Sequence, residues 1–167
     1  PLQFARRSDF VDHVRQALVT AGLAPARLQL ELTEGTLMAN SDQSLTVLSE
    51  LRALGVTLAI DDFGTGYSSL AYLRSFPVSV LKVDRSFVRD MLTEPRNANL
   101  VRAVVQMAHS MGLSVTAEGI ETEAQYEALR ALGADTGQGY GLGRPMPAQA
   151  LFDRCERVPA DQFALAD

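Results

Sequence analysis

The chain has 167 residues, of which 47% are apolar and 21% charged, enough to bury a core and too apolar for a long disordered or low-complexity segment. A formal net charge of -5, a pI near 5.0 and scattered arginines exclude a nonspecific nucleic-acid or membrane-surface binder. Cys155 is the single cysteine, which excludes an internal disulfide and suits a reducing cytoplasm, while His13 and His109 are too few and too far apart for a histidine metal cluster. Any metal site must therefore be built from oxygen.

The elements follow in order. Residues 8–21 place Phe10, Val11, Val14 and Leu18 on one helical face, with Gly22 as the stop. Residues 28–33 read as a short strand. A second helix starts near Ser41 with Leu45, Leu48 and Leu51 inward and ends at Gly55. The cycle repeats with a strand over 56–61, a short helix over 68–74, and a strand over 78–84. A helix over 97–110 is expected to bury Leu100, Val101, Val104 and Ala108, and a strand over 113–118 follows. Thr122 and Gln125 match a capping box for a helix carrying Tyr126, Leu129 and Leu132, and a last short strand leads into Gln138. No apolar run approaches the roughly 18 residues of a membrane span, and no signal segment opens the chain. Pro1 in place of an initiator methionine reads as a cut edge.

Strands alternating with helices need crossover connections, so the sheet is expected to be parallel and helix-covered. Glu31, the pair Asp61 and Asp62, Asp84, Glu118 and Gln138 stand at successive strand ends. In βα barrels those ends share one face, and residues distant in sequence converge there. An open doubly wound sheet would instead offer a G-x-G-x-x-G loop opening a helix, and none is found. A barrel is favoured, although a full one needs eight strands and about 250 residues, and about five strands are read here.

The run Asp61-Asp62-Phe63-Gly64-Thr65-Gly66 closes an apolar strand with two carboxylates and a glycine loop. Adjacent strand residues point to opposite sides, so the two acids would diverge unless the strand ends there and Gly64 and Gly66 turn the backbone. Alone, such a run is also an ordinary turn. Clustered carboxylates about 5 Å apart repel by roughly 3 kcal/mol per pair at an effective dielectric near 20, which predicts a bound cation. Hard oxygen ligands select Mg²⁺ or Mn²⁺ over zinc or copper. Lys82 sits in an otherwise apolar strand, where its ammonium needs carboxylates or phosphate nearby; a purely structural ion pair is the alternative.

Taken together, ELTE (31–34), DDFGTGYSSL (61–70), LKVDRSFV (81–88), AEGIET (117–122) and QGYGLGRPMP (138–147) resemble the EAL-domain family in order and spacing. The resemblance implies a modified (β/α)8 TIM-type barrel, here partial, that hydrolyses cyclic di-GMP to linear pGpG with two Mg²⁺ or Mn²⁺ ions. It covers the C-terminal two thirds of such a domain: the family's N-terminal strands, its E-A-L segment and the asparagine of its N-x-S segment are not in the chain.

By match to the family's motifs, Glu31, Asp61, Asp62 and Glu118 would be metal ligands. Lys82 and Glu118 would be catalytic, with Lys82 orienting the attacking water. Gln138, Asp84, Arg144 and Pro145 would meet substrate, and Gly143 stands beside them; a plain turn is the alternative for residues 143–145. Glu34 and Glu121 would brace the loop of Gly64, Thr65 and Gly66, the competing reading being helix-terminus acids that complement the macrodipole. The resemblance also implies a cytoplasmic signalling output domain and a homodimer joined through the loop after Asp62 and neighbouring helices; the acidic charge predicts no DNA and no membrane contact from this segment. The alternative function is a catalytically inactive cyclic-di-GMP receptor, against which retention of the acids and Lys82 speaks.

Overall fold

In the computed structural model the described residues are 9–33, 35–36, 41–64 and 73–157. They fall into two compact units, Pro1–Lys82 and Val83–Asp167.

In the first unit, helix α1 (Phe10–Ala21) buries Val11, Val14 and Leu18, the spacing of one helical face, with Phe10 half-buried beside them. A 3-10 turn, Pro25–Arg27, leads into strand β1 (Gln29–Thr33), followed by helix α2 (Ser41–Leu54) and strand β2 (Thr57–Phe63). Leu48 and Leu51 of α2 and Leu58, Ala59 and Ile60 of β2 are all buried. Three consecutive buried residues mean that β2 is covered on both faces, as a parallel strand beneath helices must be. Each buried leucine or isoleucine contributes about 1.5–3 kcal/mol. β1 and β2 pair in parallel with Glu31 opposite Ala59 and Thr33 opposite Asp61. Strand β3 (Val80–Val83) lies next to β2, joined before its first residue by the Ser79 amide donating to the Leu58 carbonyl at 2.9 Å.

Two expectations change here. β2 continues two residues beyond Asp61, to Phe63, while β3 is shorter at both ends than residues 78–84. The short helix expected over 68–74 falls mostly outside the described residues.

In the second unit, helix α3 (Arg85–Arg89) follows β3 directly, and helix α4 (Pro95–Ser110), strand β4 (Ser114–Glu118), helix α5 (Glu123–Ala131), strand β5 (Thr136–Gln138) and helix α6 (Ala148–Arg157) complete it. α3 and α6 were not expected from the sequence. α4 buries Val101, Val105 and Ala108, whereas Leu100, expected inside, is 41% exposed. The face is therefore rotated by one residue from the expected stripe, and Val104 is half-buried at its margin.

β4 and β5 pair in parallel, with Thr116 opposite Thr136, their hydroxyl oxygens 2.6 Å apart, and Glu118 opposite Gln138. Asp135 Oδ2 accepts from the Val115 amide at 2.6 Å and lies 2.9 Å from His109 Nε2, tying the end of α4 to the starts of β4 and β5. The α5 capping box is present in both directions, Thr122 Oγ1 accepting from the Gln125 amide and Gln125 Oε1 from the Thr122 amide. Among the described residues no helix is long and apolar enough to cross a membrane.

Candidate active site at the strand ends

The β1–β2 register carries the first part of the site. Because Glu31 stands opposite Ala59 and strand side chains alternate, Glu31 and Asp61 emerge on the same face, one residue pair apart. Lys82 on β3 reaches both: its Nζ donates to Glu31 Oε2 at 2.6 Å and to Asp61 Oδ1 at 2.8 Å. The lysine side chain is only 4% exposed, while Glu31 is 40% and Asp61 25% exposed. The expectation that a buried ammonium at this position needs carboxylates is met. The arrangement has a polarity: a sealed cation beneath two acids whose outer edges remain open to solvent.

Asp62 departs from the alternation rule. Its φ is +54°, and it is the one non-glycine with positive φ among the described residues. Left-handed backbone inside a strand interrupts the pleat, so the Asp62 side chain does not swing to the face opposite Asp61. One carboxylate oxygen of each lies within 4.8 Å of the other. Sequence reasoning expected the strand to end at Asp61 and Gly64 and Gly66 to provide the turn; the strand runs on to Phe63 and already bends at Asp62, Gly64 turns the backbone after it at φ +94°, and Gly66 lies outside the described residues. Aspartate tolerates this conformation better than most side chains, yet strain of this kind costs of order 1 kcal/mol and persists only where the surroundings enforce it.

In the second unit Glu118 and Gln138 are register partners at the ends of β4 and β5, with Glu118 half-buried and Gln138 exposed. The segments that follow them are locked backbone to backbone. The Ile120 amide donates to the Gln138 carbonyl at 3.1 Å, and the Gly141 amide to the Ile120 carbonyl at 2.8 Å. A Cβ built on Gly139 would lie 2.1 Å from the Ile120 oxygen, so no other residue fits. Gly119, at φ +73°, lies as close to α3, since a Cβ there would meet the Arg85 Cβ at 2.4 Å.

Asp84, expected to meet substrate, is the N-cap of α3: its Oδ1 accepts from the Ser86 amide at 3.0 Å and from the Ser86 hydroxyl. Burial pulls the Asp84 carboxyl upward, but the Ser86 hydrogen bonds, the Arg85 amide and the Arg85 charge outweigh it and hold it below the usual carboxylate range.

Beyond Gln138 a cavity of about 780 Å³ opens, lined among others by Gln138, Tyr140, Arg144, Pro145, Leu151 and Arg154. The Arg144 guanidinium stacks over the Tyr140 ring, 4.8 Å from its centroid. The three expected substrate contacts at this end, Gln138, Arg144 and Pro145, thus share one cavity wall. Tyr140 and Arg154 were not singled out from the sequence; Tyr140 lies inside the QGYG segment, whereas Arg154 reaches the wall from α6, which no motif marks. Glu121 is exposed, with its amide held by Gln125, and Gly64 is exposed directly after β2. Glu34, Thr65 and Gly66 lie outside the described residues.

A chain with acids on successive parallel strands, a sealed lysine beneath two of them and a cavity beside the last strand has the build of a βα-barrel enzyme site. The model of the EAL domain family matches residues 1–145, and the chain belongs to that family. Its fold class is accordingly the α/β, TIM-barrel-type class of EAL domains. The chain is 51% identical over 156 residues to the cyclic di-GMP phosphodiesterase NbdA of Pseudomonas aeruginosa, a match covering 92% of this chain and 20% of that protein. It is 49% identical over 151 residues to the bifunctional diguanylate cyclase/cyclic di-GMP phosphodiesterase MucR of the same organism, covering 90% of this chain and 22% of the relative. The chain therefore spans about a fifth of the length of these curated relatives. Among solved structures, the PaMucR phosphodiesterase in complex with c-di-GMP superimposes with a TM-score of 0.84 at 49% identity, covering 90% of this chain and 60% of that one. A manganese/cy-diGMP complex of Klebsiella pneumoniae BlrP1 superimposes with a TM-score of 0.80 at 37% identity, covering 85% of this chain and 36% of that one.

Proposed function

We propose that the chain is the C-terminal part of an EAL domain whose parent protein hydrolyses cyclic di-GMP to linear pGpG. The observation that carries the reading is the Glu31–Lys82–Asp61 cluster: a sealed ammonium held by two part-exposed acids of β1 and β2, in a chain whose relatives are named as phosphodiesterases of this dinucleotide.

The donor set fits a divalent ion. Every candidate ligand is a hard carboxylate, and Glu31 and Asp61 already converge on a single positive charge. Glu31, Asp61, Asp62 and Glu118 would hold Mg²⁺ or Mn²⁺. Bound there, the ions would lower the pKa of a water and offset charge on the phosphate. The chain's own groups do the rest. Lys82 orients the attacking water and supplies a fixed positive charge toward the phosphate, held in place by Glu31 and Asp61. Gln138, Arg144 and Pro145 contact the nucleotide from the cavity wall, Arg144 being held over Tyr140 for stacking on a base or pairing with a phosphate. Asp84, which caps α3, would meet substrate with its remaining carboxylate oxygen. Water adds to one phosphorus, the bond to the 3′ oxygen breaks, and that oxygen leaves with a proton, so one ring opening yields pGpG.

On the same reading the domain works in the cytoplasm and pairs with a second copy through the loop after Asp62. Light scattering with and without substitutions in that loop tests the pairing.

The decisive experiment incubates the full-length protein with cyclic di-GMP and Mn²⁺ and follows pGpG by mass. Cleavage that chelator abolishes, and that Asp61→Ala or Glu118→Ala reduces by at least about 100-fold, is expected. Tight binding without cleavage would instead identify a receptor, and neither binding nor cleavage would overturn the reading.

A further inference from the structure

Gln125 is buried to 6% exposure, and every hydrogen-bonding position of its amide is used. Oε1 accepts from the Glu121 amide at 2.8 Å and the Thr122 amide at 3.0 Å; Nε2 donates to the Val88 carbonyl at 3.3 Å and the Arg89 carbonyl at 3.2 Å. The Oε1 half of this set includes the capping-box bond of α5, the one from the Thr122 amide. The other half is not required for capping: it fastens the loop after β4 to the last turn of α3, residues 36 and 37 positions earlier in sequence.

The loop so fastened is the one that carries Glu118. Between Glu118 and Thr122 the chain is held on one side by the Gly119–Arg85 approach and on the other by the Ile120 and Glu121 backbone against Gly139 and Gly141. Those two contacts are steric and depend on the loop staying at one height along α3. Gln125 supplies that height, because only an amide offers two donors and two acceptors in a plane at once. Glutamate keeps the acceptors and turns two lone-pair faces toward carbonyl oxygens; methionine keeps the length and loses all four bonds.

We infer that Gln125 is a positioning residue of the catalytic site: by clamping the loop after β4 to α3 it sets where Glu118, and with it Gln138, presents its side chain. This rests on the assignment of Glu118 as a metal ligand, but the clamp itself does not.

Two measurements on Gln125→Glu and Gln125→Ala in the full-length protein separate the two claims. The first is amide hydrogen exchange across residues 119–122, which needs no ligand. Exchange at Glu121 and Thr122 is expected to be among the slowest of the loop amides in the unaltered protein and to accelerate at least tenfold in Gln125→Ala. In Gln125→Glu those two amides stay protected while protection in the last turn of α3 falls. The second is the Mn²⁺ concentration giving half-maximal hydrolysis. It should rise at least tenfold in both variants, while KM for cyclic di-GMP at saturating Mn²⁺ changes by less than about threefold; a merely unstable protein would lose active material without moving either constant.

Wild-type exchange at residues 119–122 in folded Gln125→Ala would overturn the clamp. If that variant does not fold, Gln125→Glu and the exchange rates of the unaltered protein decide the same point. Altered exchange with an unmoved Mn²⁺ requirement would overturn the positioning role and leave the hydrolase reading intact. Altered exchange in a protein that cleaves no cyclic di-GMP would leave the clamp standing and remove the hydrolase reading, and with it the catalytic role of Gln125.

Discussion

Lys82 Nζ lies 2.8 Å from Asp61 Oδ1 while its side chain is 96% withdrawn from solvent and that of Asp61 remains a quarter exposed. A lysine in this position cannot give up either acid: two carboxylates at roughly 5 Å repel by about 3 kcal/mol at an effective dielectric of 20, and the buried ammonium has no water to fall back on. The pair is asymmetric by construction. The cation is structural on its inner side and electrostatic on its outer side, where the acids face solvent.

Lys82→Met should therefore separate stability from activity. Removing the cation leaves the acids partly hydrated, so the loss in unfolding free energy should stay below about 3 kcal/mol, less than for breaking a fully buried pair. The kcat for cyclic di-GMP should fall at least about 100-fold with the nucleotide still bound. Urea titration and steady-state kinetics on the same preparation check both; near-normal kcat would remove Lys82 from the mechanism.

At Asp62 the backbone gives an inverted expectation. With φ at +54°, Asp62→Gly should be more stable than Asp62→Ala by about 1 kcal/mol, reversing the order that glycine and alanine show in ordinary strands. Thermal denaturation of the two variants measures this difference. Equal stabilities, or the ordinary order, would mean that the left-handed bend is not kept in solution.

Gly139→Ala should be among the most damaging single-methyl additions in the chain. Its Cβ would fall 2.1 Å from the Ile120 carbonyl oxygen, a backbone atom that cannot rotate away, so the β4 and β5 loops must separate. A loss of about 3 kcal/mol or more is expected from overpacking of this kind. The midpoint of urea unfolding reads it directly, and a wild-type midpoint would contradict the close packing.

Asp84 gives a pH dependence with a definite sign. Its folded-state pKa is lowered by the Ser86 bonds, so the stabilisation it provides is present above the unfolded-state value near about 3.9 and is lost as pH falls through the folded value. The stability gap between the wild type and Asp84→Asn should be widest above pH of about 5 and close in strong acid. A gap that widened on acidification would contradict the cap.

The sequence was most legible where a local rule acts alone. The faces of α1 and α2, the capping box at Thr122 and Gln125, the parallel strands and the acids at their ends all follow from 3.6- or 2-residue periodicity and cap chemistry. The resemblance of five segments was enough to indicate the family, because a strand-end acid and the loop after it sit together in sequence. Leu100 shows the limit of the same rule: on a helix where Leu100, Val101, Val104 and Val105 are all apolar, periodicity admits two neighbouring stripes, and packing selected the one through Val101 and Val105.

Other features depend on groups that no window of sequence contains. Asp62 takes left-handed backbone in addition to Gly64 two residues on, a choice set by what surrounds the strand rather than by the residue's own preference. Asp84 turns to Ser86, and Gln125 spends half of its amide on carbonyls 36 and 37 residues away. Residue identity and spacing determined the family, the strand ends and the list of acids. Tertiary structure alone decided which acids share Lys82, which glycines have no room for a Cβ and which polar side chains bridge distant backbone, because hydrogen-bond capacity and free volume are properties of neighbours in space.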